Sequence, residues 1–175
     1  ISNMGELLTK QGKYDEAQVY FAEALETQRR VLGDEHPGTL NTISNMGALL
    51  QRQGKYDEAK VYYTEALEGY RRVLGDEHPN TLDSINGMGN LLLDQGKLDE
   101  AEVYLAKVLE VKRRVLGNEH PDTVISIHNM GGLLLDQGKY EEAEVYCAEA
   151  LEVSRRVLGE DHRRRGQQGG NCQSD

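Results

Sequence analysis

The sequence predicts an all-α solenoid of stacked antiparallel helix pairs, on three observations. One 42-residue unit recurs four times, apolar residues within it fall at steps of three and four, and glycine and proline punctuate it at fixed phases. GKYDEA stands at 12–17 and 54–59, GKLDEA at 96–101 and GKYEEA at 138–143. RRVLG occurs at 29–33, 71–75, 113–117 and 155–159, and Ile-x-x-Met-Gly opens at Ile1, Ile43, Ile85 and Ile127. The units run 1–37, 38–79, 80–121 and 122–162, and 163–175 lies outside the repeat. A single pair cannot bury its apolar faces, so stacked neighbours must supply a continuous core.

The second unit shows each element in order. Thr39 to Gln53 carries Leu40, Ile43, Met46, Leu49 and Leu50 on one helical face. Gly54-Lys55 turns the chain. Tyr56 to Leu74 carries Tyr56, Ala59, Tyr63, Ala66, Leu67, Tyr70, Val73 and Leu74, again at helical spacing and over about 28 Å. Asp57 and Glu58 in its first turn, and Arg71 and Arg72 in its last, suit the two ends of the helix dipole. Gly75 is placed as the residue that ends it. His78-Pro79 opens the next helix, where proline's missing N–H costs nothing.

The chain has 19 glycines, many for a helical protein, because glycine inside a helix costs about 1 kcal/mol relative to alanine. Their phases resolve the conflict. Gly5, Gly47, Gly89 and Gly131 face the small residues Ala17, Ala59, Ala101 and Ala143 and predict close helix contact. Gly12, Gly54, Gly96 and Gly138 are predicted turns, and Gly33, Gly75, Gly117 and Gly159 predicted ends of the long helix. Ala24, Ala66 and Ala150 extend the small-residue pattern, which Val108 breaks.

Composition excludes several functions. A net charge of −10 argues against nucleic-acid binding, which needs a basic face. No run approaches the ~20 apolar residues of a membrane span, and no secretory leader pattern opens the chain. Cys147 and Cys172 are too few for a disulfide scaffold and lack metal-site spacing, which suits a reducing, cytoplasmic setting. His36, His78, His120 and His162 each follow acidic residues, a pairing that invites metal or acid–base chemistry. They stand one unit apart at equivalent helix junctions, so nothing makes them converge, and polar capping is expected instead. GKYDEA lacks the phosphate-loop spacing. No catalytic residue, metal site or cofactor is expected.

Met46-Gly47, Leu50, Gly54, Tyr56, Ala59, Tyr63, Ala66 and Leu67 fall in order on the pattern of the tetratricopeptide repeat, which the chain therefore resembles over residues 1 to about 162. Ile43 stands where that family has Trp, and Arg71 where it has its closing Pro. The 42-residue period, with the added Arg-Arg-Val-Leu-Gly-Asp-Glu-His-Pro segment, is similar to the kinesin light chain type of repeat. The resemblance implies a right-handed superhelix and a non-enzymatic scaffold that holds a partner peptide or protein segment in a concave groove lined by each unit's first helix. A groove asparagine of that subtype corresponds to Asn3, Asn45 and Asn129, while the third unit has Gly87 there with Asn86 and Asn90 nearby. An asparagine amide both donates and accepts, which suits the main chain of an extended peptide. Other groove phases hold Glu6, Thr9, Lys10, Asn41, Ser44, Gln51, Arg52, Asp83, Asp94, His128 and Asp136. The implied partner-binding set is Asn3, Lys10, Asn41, Asn45, Arg52, Asn86, Asn90, His128 and Asn129. Lys10 and Arg52 lie in the first half and the aspartates in the second, so a partner of mixed charge is expected. The alternative is a repeat segment of a larger multidomain regulator, attached to a nucleotide-binding or other catalytic domain.

Repeat phase predicts proline at 163, where Arg163 stands, and 163–175 is expected to be a disordered tail. The outer face of the last unit, with Tyr140, Val145, Val153 and Val157, should then be partly uncovered, which predicts self-association through the ends. Cys147 shares the phase of Phe21, Tyr63 and Leu105 and is expected to be a small core hydrophobe.

Overall fold

The computed structural model describes the backbone of residues 2–169 and the side chains of 3–157. Eight helices and no strand are found among them: α1 (Ser2–Lys10), α2 (Tyr14–Leu32), α3 (Pro37–Arg52), α4 (Tyr56–Leu74), α5 (Pro79–Asp94), α6 (Leu98–Leu116), α7 (Pro121–Asp136) and α8 (Tyr140–Gly169). Residues 1–104 and 105–175 form two compact units, the division falling inside α6. No helix among the described residues is long and apolar enough to cross a membrane.

In the first unit α1 packs on α2 and α3 on α4, and the pairs stack through α2 on α3 and α4 on α5. Leu25, Leu40, Ile43, Ala66 and Tyr70 form a buried cluster drawn from α2, α3 and α4, with Tyr62 and Leu74 against it. The first helices α1, α3 and α5 also touch in sequence, which sets their outer faces side by side. In the second unit α7 packs on α8 around buried Ile127, Met130, Leu133, Leu134 and Ala143.

The turn between the two helices of a pair is the same hydrogen-bonded device each time. At Gly54, φ is +75°, a conformation an L side chain adopts only with strain. That turn lets the Lys55 N–H donate to the Leu50 carbonyl at 2.9 Å and the Gly54 N–H to that of Gln51 at 2.9 Å. These are the two bonds of a Schellman end, and they satisfy carbonyls the helix leaves open. The long helices end differently. Gly75 has φ +85° with ψ 170°, so it is extended rather than left-handed helical, in a region only glycine enters readily.

The junction that follows is tied by polar groups. Buried Thr39 and Thr81 donate their hydroxyls to the carbonyls of Gly33 and Gly75, each at 2.8 Å. His36, His78 and His120 cap α3, α5 and α7: each Nδ1 accepts the backbone N–H two residues on, at 3.0, 3.2 and 3.2 Å. A proline follows each histidine at the first helical position. The histidine–acid pairs are therefore helix starts, as expected, and no group of three or more metal-competent side chains occurs among the described residues. Replacing His36 with alanine should cost about 1 kcal/mol of stability, and replacing it with asparagine much less, in urea unfolding followed by circular dichroism. Equal losses for the two variants would remove the capping role.

Three expectations change in the second unit. Gly159 does not end the long helix, because α8 continues to Gly169. The structure therefore differs from the expected unstructured tail over 163–169, and 170–175 lies outside the described residues. With Arg163 in place of proline, no residue lacks its N–H and no ring opposes the next helical turn, so nothing in the backbone chemistry stops α8 there. The outer-face residues are also reassigned. Val153 is buried, and Val145 is as exposed as its equivalents Val19, Val61 and Val103, so neither marks an end. Tyr140 is exposed and Val157 half-buried.

The arginines of the RRVLG segments do more than oppose a helix dipole. Arg29 of α2 pairs with Glu65 of α4 and with Asp34 at 3.2 Å, and Arg72 pairs with Glu35 at 2.9 Å. In the second unit Arg113 pairs with Glu149 at 2.6 Å, the same 36-residue separation as Arg29–Glu65. Arg113 also lies over the ring of Tyr146, 5.9 Å from its centroid. Exposed pairs of this kind contribute about 0–1 kcal/mol each.

Candidate functional site

The first helices present their polar phases outward because their apolar phases are consumed by the partner helix. On α3, Leu40, Ile43, Met46 and Leu50 are buried, whereas Asn41 and Arg52 are exposed and Asn45 half-buried. Asn41, Asn45 and Arg52 are spaced so that they share one side of the helix. Asn3, Lys10 and Glu6 of α1 are exposed, Asn86 and Asn90 of α5 half-buried, and Asp83 and Asp94 exposed.

Two of these faces join in a cleft of about 220 Å³ between α1 and α3. Its rim carries Glu6, Thr9, Lys10, Asn45 and Arg52, and its floor Phe21, Ala48 and Leu49. The Asn45 amide Nδ2 donates to Glu6 Oε1 at 3.1 Å, which leaves the Asn45 carbonyl to accept from elsewhere. Lys10 and Arg52 form no ion pair among the described residues.

Next to it, α3, α4 and α5 share a polar network. Gln51 Nε2 donates to Asp94 Oδ2 at 2.7 Å, and the Tyr63 hydroxyl donates to Gln51 Oε1 at 2.8 Å. Burial pushes the Tyr63 phenol up to about 12; the charge of Arg52 opposes this and that of Asp94 adds to it. An acid whose folded pKa lies above its unfolded value of 10 keeps its full contribution below pH 10 and loses it as pH rises to 12. Unfolding free energy should therefore fall by about 2–3 kcal/mol more across that window in the natural chain than in Tyr63→Phe. Tyr70 is also raised, by burial first and then by Asp83. It is common to both proteins, so their difference isolates Tyr63, and parallel pH profiles would sink the assignment.

In the second unit, His128 is exposed and Asn129 half-buried on α7. His128 lies at the edge of an open apolar cleft with Val124, Ile125, Cys147, Ala150, Leu151 and Ser154. Cys147 is only half-buried, so it is a wall of this cleft rather than a sealed core residue. Cys172 lies outside the described residues. The nine predicted residues thus sit on first helices, each exposed or half-buried. Sequence reasoning missed the Gln51–Asp94–Tyr63 chain and the Asn45–Glu6 pairing. The signal was present, since Gln51 and Asp94 are about one repeat apart on the same face.

The chain matches the family model described as tetratricopeptide repeat over residues 1–72, 40–114, 83–144 and 124–167. No curated protein matches it. Its fold is that of BtubC (BKLC) from P. vanneervenii, with a TM-score of 0.81 at 21% identity over 90% of this chain. This chain spans 63% of that structure's length. A kinesin light chain-like protein of Podosopora anserina with nearly identical TPR-like repeats is similar in two structures. One, a single-site variant, has a TM-score of 0.78 at 20% identity, covering 90% of this chain and 74% of that one. The other has a TM-score of 0.75 at 21% identity, covering 89% and 74%.

Proposed function

We propose that this chain, which belongs to the tetratricopeptide repeat family, is a non-catalytic interaction scaffold that holds an extended peptide of mixed charge on the outward faces of its first helices. The observation that carries the reading is the cleft between α1 and α3. Two unpaired cations, Lys10 and Arg52, stand beside an apolar floor and an asparagine with a free carbonyl. A peptide carboxylate suits Arg52, whose guanidinium offers parallel donors. A peptide N–H suits the Asn45 carbonyl, and a small apolar side chain suits Phe21 and Leu49. Glu6 and Asp94 favour basic groups elsewhere on the same peptide, which is why one sign of charge alone fits less well.

The test is selection of binders from a displayed random peptide library, followed by affinity measurement with the enriched peptides. Enriched sequences should carry an acidic residue. Arg52→Glu should weaken them at least about tenfold, which is about 1.4 kcal/mol. Asn45→Ala should weaken them several-fold. Arg52 is exposed and Asn45 only half-buried, so helical content should not change. Peptides that bind Arg52→Glu and Asn45→Ala as tightly as the natural chain would place the site elsewhere.

A further inference from the structure

One position at the end of each first helix changes sign along the chain. Lys10 closes α1 and Arg52 closes α3, whereas the same phase holds Asp94 at the end of α5 and Asp136 at the end of α7. Packing does not require the change, because all four residues are exposed. Within the first unit, Lys10, Arg52 and Asp94 stand on helices that touch in sequence, α1 on α3 and α3 on α5. None of these three forms an ion pair among the described residues.

Asp94 is also a positioned carboxylate. Gln51 Nε2 holds its Oδ2 at 2.7 Å, and the hydroxyl of buried Tyr63 holds Gln51 Oε1 at 2.8 Å. A neutral amide donor orients the carboxylate without cancelling its charge, which leaves Oδ1 to accept from a cation. Arg52 and Asp94 act on the Tyr63 phenol in opposite senses, so both charges lie near one hydroxyl. The geometry between neighbouring first helices selects a ligand conformation. Packed helices lie about 8–10 Å apart. A polyproline-II segment turns every third side chain to the same side and advances about 9 Å in doing so. A β-strand does this at every second residue, about 7 Å, or every fourth, about 13 Å, which matches less well.

We propose that this row selects the charge order of the bound peptide: an acidic side chain lies at Lys10 and Arg52, and a basic side chain about three residues from it lies at Asp94. This selection rests on the reading of the α1–α3 cleft as a peptide site, and it adds a second contact with a stated sign and spacing. It also defines what is rejected. A peptide acidic at both positions meets the Asp94 carboxylate and is repelled, and one basic at both meets Lys10 and Arg52. The partner is therefore an extended segment in which a carboxylate and a lysine or arginine share one side, rather than a run of one charge.

The test is selection from a displayed random peptide library on the full 175-residue chain, repeated on Asp94→Arg and Asp94→Asn. Asp94 is exposed at the end of α5, so both variants keep the fold, and Asp94→Asn keeps an oxygen for Gln51 while losing the charge. Binders of the natural chain should carry an acidic and a basic residue about three positions apart. A synthetic peptide of that pattern should bind Asp94→Arg at least about tenfold more weakly than it binds the natural chain. Its copy with glutamate in place of the basic residue should show the reverse preference, and Asp94→Asn should bind the two peptides alike. Peptides that depend on Arg52 but carry no basic residue at a fixed spacing overturn the charge order and leave the peptide-binding reading standing. So do peptides whose preference is unchanged by Asp94→Arg. Binders indifferent to Arg52→Glu, or no enriched binder at all, overturn both.

Discussion

Replacing Tyr63 with alanine should destabilise the chain by about 3–5 kcal/mol, the range for removing a large buried ring. Tyr63 is almost fully buried and belongs to two interfaces at once. Its ring lies against Gly47 of its own helix pair and against Gly87 of the next, where added Cβ atoms would sit 3.2 and 2.9 Å from it. Deleting the ring opens a cavity along two helices and removes the contact by which α5 docks. In a repeat array the nearest-neighbour interface carries much of the stability, so the loss should spread beyond one pair. Tyr63→Phe keeps the ring and removes only the hydroxyl that donates to Gln51, so it should cost about 1 kcal/mol. Urea unfolding of both variants by circular dichroism makes the comparison. Amide exchange should show α3 to α5 losing protection first in Tyr63→Ala. A Tyr63→Ala loss no larger than that of Tyr63→Phe would mean that the ring is not the joint between the pairs.

What could be read from the sequence was whatever repeats. The four-fold recurrence of GKYDEA-type and RRVLG segments located the turns and helix ends, and the long helix placed at Tyr56 to Leu74 has those bounds in the structure. The first helix of that pair starts two residues earlier than its apolar pattern, at Pro37, because proline occupies the first helical position without contributing to that pattern. Repetition also separated cap from catalyst for the histidines, since residues one unit apart at equivalent junctions cannot converge. What could not be read was which side of the last helix stays covered. Val153 and Leu151 are both apolar and two residues apart, so they point to different sides of α8. Periodicity alone does not say which side meets α7. The equivalence of Leu151 with Leu25, Leu67 and Leu109 marks its side as one that a following helix would cover. The binding face was legible as positions but not as partners. Asn45 was expected to offer its whole amide, whereas Glu6 takes the donor half and only the carbonyl remains. Such a pairing depends on the distance between α1 and α3, which no single-helix pattern encodes.

The approach of α3 to α4 is set by glycine, and a second large effect follows from it. Gly47→Leu should cost at least about 1–3 kcal/mol, the usual penalty for overpacking a closed core. Gly47 is buried in α3, and its Cβ would lie 3.2–3.3 Å from three atoms of the Tyr63 ring, which is also in close contact with Gly87 and has little room to give way. The helix-propensity gain of about 1 kcal/mol for leaving glycine behind is too small to reverse the sign. Gly132→Ala supplies the contrast. Gly132 is exposed on α7, and nothing lies within 4 Å of an added Cβ, so only the propensity term acts and stability should rise by about 0.5–1 kcal/mol. If both variants move stability in the same direction, the two glycines do not differ in role. The decisive measurement combines the two large predictions. If Gly47→Leu is costly because it strikes Tyr63, then adding Tyr63→Ala removes the obstacle and lets the new leucine occupy the space the ring leaves. The double variant should then be more stable than the sum of the single losses predicts, by about 1–3 kcal/mol of coupling. Additive losses would show that the inserted leucine meets something other than this ring, and that the close approach of α3 and α4 at Gly47 is not what Tyr63 requires.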